Sequence, residues 1–260
     1  MATRTQMQRY HWVQNNGRGF IQLPGLNHAT AFHFFGTRLL AGAEGSDLEP
    51  GRVERSIRTR QIHGDRIHRV TGAADPESGP REERGGFSQE IGEGDGLTTD
   101  RSGILINVST ADCVPVLLLD PVRKAVSAVH AGWRGTVLNI SAKAVESMRF
   151  YYGSDPRNLL VGIGPSIGPC CYEVSSDVWE QVEGGYFYGR EVLLHEKNGK
   201  AMLDLVQFNR MQLIVAGVPS DRIAFSGLCT SCFPSLFYSF RRDQRRVGNM
   251  TSGIMLNAHP

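Results

Sequence analysis

Short β-branched runs separated by turn-forming residues dominate the middle of the chain. Gly103–Ser109, Val114–Leu119 and Ala125–Val129 read as consecutive buried strands, because their apolar positions run on without polar alternation. Leu159–Ile163 and Ile223–Gly227 carry the same texture, residues 20–40 alternate loosely with many Phe and Leu, and Arg66–Thr71 has a strand's period of two. Ser235–Arg241 alternates aromatic with polar residues and predicts one more strand. Helical spacing governs Thr136–Phe150, where Val137, Ile140, Ala144, Val145 and Met148 share a face and Gly153 and Pro156 close the run. Asp177–Val182 and Asp204–Ala216 follow the same period. Residues 71–96 are rich in Gly, Pro, Glu, Asp and Arg and predict an exposed polar loop. With no repeat and no linker, the expectation is an α+β fold, a single mixed-sheet α/β domain over residues 1–260.

Composition narrows the function. The 260 residues carry 28 Lys+Arg against 26 Asp+Glu, a net charge of +2, with 40% hydrophobic residues. That balance describes a globular chain with no polyelectrolyte character, so no nucleic-acid partner is expected. No apolar run approaches the roughly 20 residues that span a bilayer. The first ten residues lack the apolar core of a secretory signal, so a cytoplasmic protein with no membrane partner is expected. Five cysteines form an odd set better read as reduced thiols than as a disulfide framework. Charge is uneven locally: Arg52, Arg55, Arg58, Arg60, Arg66 and Arg69 crowd one stretch, and acids dominate 71–100. A basic patch beside a site attracts phosphate.

Three segments carry candidate chemistry: Gln61-Ile62-His63-Gly64, Thr110-Ala111-Asp112-Cys113-Val114-Pro115 and Val129-His130-Ala131-Gly132-Trp133-Arg134. One Cys and two His from separate strands match a catalytic zinc site, with three protein ligands and a fourth position for water or substrate. Two other readings fit these residues: Cys113 as a small buried packing residue, or Cys113 with His130 as a nucleophile and base for acyl transfer. Asp112 is either a carboxylate that orients a histidine from behind or a brace for its turn. Arg134, at the start of a helix, suits an anion or an ordinary surface. Cys229-Thr230-Ser231-Cys232 is one CxxC pair, too few ligands for a structural zinc site, and with Cys170 and Cys171 it is assigned to packing. In Leu236–Arg242 the aromatics, Tyr238 among them, offer a face for a planar base, and Arg241 and Arg242 offer charge for an anion.

Taken in order, Gln61–Gly64, Gly94–Thr99, Ala111–Val116, Val129–Gly135, Gly162–Gly168 with Cys170–Val174, and Phe237–Arg242 resemble the YfiH-like, laccase-domain purine nucleoside phosphorylase family over about residues 20–255. The resemblance implies an α+β fold, a monomer or weak homo-oligomer, and zinc ligands at His63, Cys113 and His130. It implies phosphorolysis of adenosine, inosine, guanosine and methylthioadenosine, and deamination of adenosine, so the partners are small purine nucleosides and phosphate. Arg58, Arg60, Gln61, Arg134, Tyr238, Arg241 and Arg242 are the candidates for the substrate and phosphate side. Such proteins have also been described as multicopper polyphenol oxidases, or laccases. Eight His without one His-x-His pair do not supply a trinuclear copper cluster, although the same three donors accept Cu2+. A Cys-His hydrolase on Cys113 and His130, a copper-dependent phenol oxidase and a nucleotide-binding interaction protein are the alternatives. Two family signatures are altered, at Thr37-Arg38-Leu39-Leu40-Ala41-Gly42 and at Val247-Gly248-Asn249.

Overall fold

Why the central strands lack polar alternation is answered by what covers them. In the computed structural model, which describes residues 10–15, 18–40, 53–71, 81–82, 88–195, 200–244 and 248–257, Val114–Asp120 is buried along its whole length. Val114, Val116 and Leu118 face a layer of helices, whereas Leu117 and Leu119 face a second sheet. A strand packed on both faces needs apolar residues at every position.

That strand belongs to a six-stranded sheet ordered Ile223–Phe225, Leu160–Ile163, Val114–Asp120, Ala125–Ala131, Gly96–Thr99 and Ile67–Val70. An eight-stranded sheet stacks on it, ordered His11–Asn15, Arg18–Gln22, Ala31–Gly36, Met250–Leu256, Ile104–Thr110, Arg55–Arg60, Ser88–Glu93 and Arg81–Glu82. Ile21, Phe35, Ile57, Ile106 and Ile254 fill the space between them. The outer face of the larger sheet carries its own cluster of Phe20, Phe32, Phe34, Leu105 and Met255. Helices Ile140–Tyr152 and Leu205–Val215 cover the other face of the six-stranded sheet through Ala144, Met148, Phe208 and Leu213. Glu173–Val174, Ala201–Leu203 and Leu193–His195 form a small third sheet. The class is therefore mixed α and β as expected, with the strands divided among three sheets. No helix among the described residues is long and apolar enough to cross a membrane.

Three expectations are corrected. The helix expected at 136–150 is two helices, Trp133–Val137 and Ile140–Tyr152, because Asn139 takes a left-handed conformation (φ 63°) between them. Ser235–Arg241 is not a strand: its backbone turns through Leu236 and Phe237, both bonded to the Phe233 carbonyl, and Ser239 caps a short helix at Phe240–Asp243. Alternation there reflects an irregular segment that buries Phe237 and Ser239, not a β period. The polar stretch 71–96 contains the strand Ser88–Glu93, parallel to Arg55–Arg60. Its acids answer the arginine cluster across the ladder, Glu90 to Arg58 at 3.5 Å and Glu93 to Arg60 at 2.5 Å, so charge pairing stands in for apolar periodicity. The parts of that stretch at 72–80 and 83–87 lie outside the described residues.

A candidate metal centre at the end of the six-stranded sheet

Strand register assembles the site. Val114 pairs with Ala131, so Cys113 and Gly132 meet one step beyond the ladder. Gly96 pairs with Val129, so Asp95 lies beside His130, whose N–H donates to the Asp95 carbonyl at 2.7 Å. His63 arrives on the turn after Arg55–Arg60 with φ 61°, a backbone conformation costly outside glycine. The ligand atoms of His63, Cys113 and His130 all lie within 4.8 Å of one another.

Asp95 holds this turn in place. Fully buried, its carboxylate accepts from the backbone N–H groups of Ile62 (3.2 Å), His63 (3.0 Å) and Gly64 (2.7 Å), and from His130 Nδ1 at 2.7 Å. The same two oxygens therefore fix the strained histidine and the tautomer of the second histidine. With one proton held on Nδ1 by Asp95, it is Nε2 that faces the trio, the nitrogen that a metal would take in exchange for its proton, as in metal-ligating histidines. Burial opposes ionisation of Asp95, but the bonds from His130 and Gly64 outweigh it and hold its carboxyl below the ordinary range.

The thiol is activated by the same neighbours. Burial works against the Cys113 thiolate, yet His130 and His63 bring its pKa down to about 6. Burial likewise disfavours a charged His130, but the Cys113 thiolate and Asp95 raise its pKa to about 9. A cavity floor of backbone alone leaves room among the three side chains: a Cβ at Gly132 would lie 3.0 Å from Cys113 Sγ and 3.1 Å from His63 Cδ2. One soft thiolate, two imidazoles, a preset tautomer and this glycine floor fit a metal ion.

The other residues singled out in the sequence are distributed unevenly. Asp112 accepts from Thr230 Oγ1 at 2.6 Å and from the Arg241 N–H at 2.8 Å, so it braces the neighbouring turn, and the carboxylate behind the histidine is Asp95. Gln61 spends both ends of its amide on the Ser109 backbone at 2.8 Å, tying its turn to the larger sheet. Arg58 and Arg60 lie in the charge ladder with Glu90 and Glu93. Arg242 donates from all three guanidinium nitrogens, to the Thr230, Ser231 and Phe237 carbonyls and to Asp243. Tyr238 stacks under the Arg38 guanidinium at 4.7 Å. Val247, in the second altered signature, lies outside the described residues, as do residues 41–42 of the first.

Two arginines remain beside the trio. Arg241 packs over the Tyr172 ring at 5.1 Å and donates to the Glu173 carbonyl at 3.0 Å, and Arg134 packs over Trp133 at 4.7 Å. Tyr172 was not among the candidates, nor was Asp95. Burial and the nearby Cys113 thiolate push the Tyr172 hydroxyl up to about 12, with Arg241 and Arg134 pulling the other way. A faint signal for Asp95 existed: an acid between Gly94 and Gly96, where a chain enters a buried strand.

One Cys, two His and a buried Asp gathered at the ends of a sheet in an α+β fold match the donor set of a metal-dependent enzyme. The chain belongs to the family described as multi-copper polyphenol oxidoreductase laccase, whose pattern matches residues 47–257. It is 37% identical over 203 residues to the purine nucleoside phosphorylase YlmD of Geobacillus stearothermophilus, covering 78% of this chain and 72% of that one. It is 38% identical over 161 residues to the adenosine deaminase RL5 of an unknown prokaryotic organism, covering 62% of this chain and 61% of the relative. The crystal structure of the Bacillus licheniformis protein YfiH superposes with a TM-score of 0.82 at 31% identity, over 95% of this chain and 99% of that one. The resemblance read from the motifs thus holds, and the chain is a member of an enzyme family.

Proposed function

We propose that this chain is a zinc-dependent purine nucleoside phosphorylase that also deaminates adenosine, acting on adenosine, inosine, guanosine and methylthioadenosine. One observation carries the reading: His63, Cys113 and His130 converge over the Gly132 backbone, with Asp95 fixing the tautomer that frees His130 Nε2. The names of the relatives support the substrate class. His63, Cys113 and His130 would hold the ion, and a thiolate with two imidazoles suits zinc while also accepting Cu2+. When bound, the metal supplies Lewis-acid polarisation and acidifies water.

The protein groups divide the remaining work. Asp95 keeps the proton on His130 Nδ1 throughout. Tyr172, with its hydroxyl pushed up to about 12, stays protonated at neutral pH and serves as an uncharged donor. Arg134 and Arg241 supply positive charge for phosphate, Arg241 from a guanidinium anchored over Tyr172 by its bond to the Glu173 carbonyl, while Arg58 and Arg60 are paired with Glu90 and Glu93. A cytoplasmic monomer or weak homo-oligomer working on small nucleosides completes the reading.

The test is product analysis with adenosine, with and without phosphate. Adenine and ribose 1-phosphate formed only with phosphate establish phosphorolysis, and inosine formed without it establishes deamination. Nucleoside left intact under both conditions by the zinc-loaded protein refutes the reading. A second reading, a cysteine hydrolase, is favoured by one observation, the Cys113, His130, Asp95 series of nucleophile, base and orienting carboxylate. Ester hydrolysis that survives complete metal removal would establish it.

A further inference from the structure

The sequence assigned Cys170, Cys171, Cys229 and Cys232 to packing, because a single CxxC lacks two ligands. Folding supplies them. The turn after Leu160–Ile163 lies against the turn after Ile223–Phe225, joined by the bridge between Ser166 and Cys229 and by the Thr230 N–H to the Ser166 carbonyl at 2.9 Å. All four sulfurs then lie within 4.8 Å of one another, as free thiols. We propose that Cys170, Cys171, Cys229 and Cys232 form a second, structural metal site that binds zinc through four thiolates. This inference stands independently of the catalytic reading.

The spacing fits a tetrahedral ion. Zinc–sulfur bonds of about 2.3 Å in a tetrahedron separate neighbouring sulfurs by about 3.8 Å. Cys232 Sγ lies 3.6 Å from Cys170 Sγ and 3.5 Å from Cys171 Sγ, so only small side-chain rotations separate the thiols from that geometry. Support from behind is also present: the Gly168 N–H donates to Cys229 Sγ at 3.3 Å, a contact that stabilises a thiolate. Gly168 lies close under the cluster: a Cβ there would sit in van der Waals contact, 3.4 Å from Cys170 Sγ and 3.4 Å from the Cys229 Cβ. Cys229 is buried while Cys170 and Cys232 are exposed, which leaves an entry side for the ion.

Such a site acts on the catalytic centre through packing. The two turns it joins are those that hold Asp112: the Ile167 N–H donates to its carbonyl at 2.9 Å and Thr230 Oγ1 to its carboxylate. Arg242 caps the Thr230 and Ser231 carbonyls of the same loop. An ion at the four thiols thus staples the wall that carries Tyr172 and Arg241 to the strand end that carries Cys113.

The test is zinc content and zinc-edge X-ray absorption on the full chain, purified under reducing conditions and passed over a chelating resin. The His63→Ala/Cys113→Ala variant, which lacks the catalytic ligands, is expected to retain one zinc per chain surrounded by four sulfurs. Cys232→Ser is expected to lose one zinc relative to wild type while keeping the zinc bound by nitrogen and one sulfur. Should Cys232→Ser fail to fold, an organomercurial titration of the folded wild type replaces it, with zinc release expected to track loss of the clustered thiols. A His63→Ala/Cys113→Ala protein that folds and holds no zinc overturns the proposal. So does a non-reducing peptide map of fresh protein that finds these cysteines joined in disulfides.

Discussion

Replacing Asp95 by asparagine exchanges one oxygen for an NH2 group, and neither orientation of the new amide keeps all four bonds as they are. With the NH2 at the Oδ2 position it meets the Ile62 and Gly64 N–H groups, donor against donor. With the NH2 at the Oδ1 position it meets the His63 N–H, and His130 must move its proton to Nε2, the nitrogen a metal needs. Hydrogen bonds to a buried charge contribute about 1.5–3 kcal/mol each, so losing one or two costs about 1.5–6 kcal/mol of stability. Metal affinity should fall about 10- to 100-fold from the lost orienting carboxylate. Chelator competition on wild type and Asp95→Asn measures the affinity, and denaturant unfolding of the metal-free proteins measures the stability. An Asp95→Asn protein with wild-type metal affinity and stability would refute the argument that this carboxylate builds the site.

Further predictions concern the same centre. Because the Asp95 carboxyl is held below its ordinary value, its contribution to stability is complete above the unfolded pKa of about 3.9 and is lost as pH falls through the lowered folded value. Acid unfolding of metal-free Asp95→Asn should lack that component, and parallel pH profiles would contradict it. In metal-free protein the alkylation rate of Cys113 should rise with a midpoint of about 6, and metal affinity should decline progressively below that value as protons compete for the thiolate. A midpoint in the ordinary thiol range of about 8.5 would show that the histidines do not act on it. Gly132→Ala adds a Cβ 3.0 Å from Cys113 Sγ and should weaken metal binding at least tenfold, a cost of about 1.4 kcal/mol, with the fold retained. Arg241→Ala should raise the KM for phosphate more than the KM for nucleoside, and an unchanged phosphate KM would remove Arg241 from the anion side.

Much of this molecule was legible because burial on two faces writes itself into composition. Val114–Asp120 and Ala125–Ala131 read as strands from their unbroken apolar runs. Arg55–Arg60 and Ser88–Glu93 did not, because their pairing rests on charges facing each other across a ladder, a relation between distant segments that periodicity does not register. At the site, His63, Cys113 and His130 were visible as chemistry carried on small or turn-forming neighbours. Asp95 was hidden because its role depends on being one register step from His130, which only strand pairing reveals. Asp112, adjacent to Cys113 in sequence, was the misleading choice: both lie in the bend between Ile104–Thr110 and Val114–Asp120, where the Asp112 carboxylate turns to Thr230 and the Arg241 N–H. The four remaining cysteines looked like two unrelated pairs for the same reason, being joined only when two turns meet.

The central claim is that a metal bound by His63, Cys113 and His130 carries the nucleoside chemistry. The most direct measurement titrates zinc into metal-free wild type and metal-free Cys113→Ala while following phosphate-dependent base release from adenosine and inosine. The account predicts activity that rises with zinc occupancy of this site in wild type and stays absent in Cys113→Ala at every zinc concentration. Base release by Cys113→Ala at the wild-type rate, or full activity in the metal-free wild type, would contradict it.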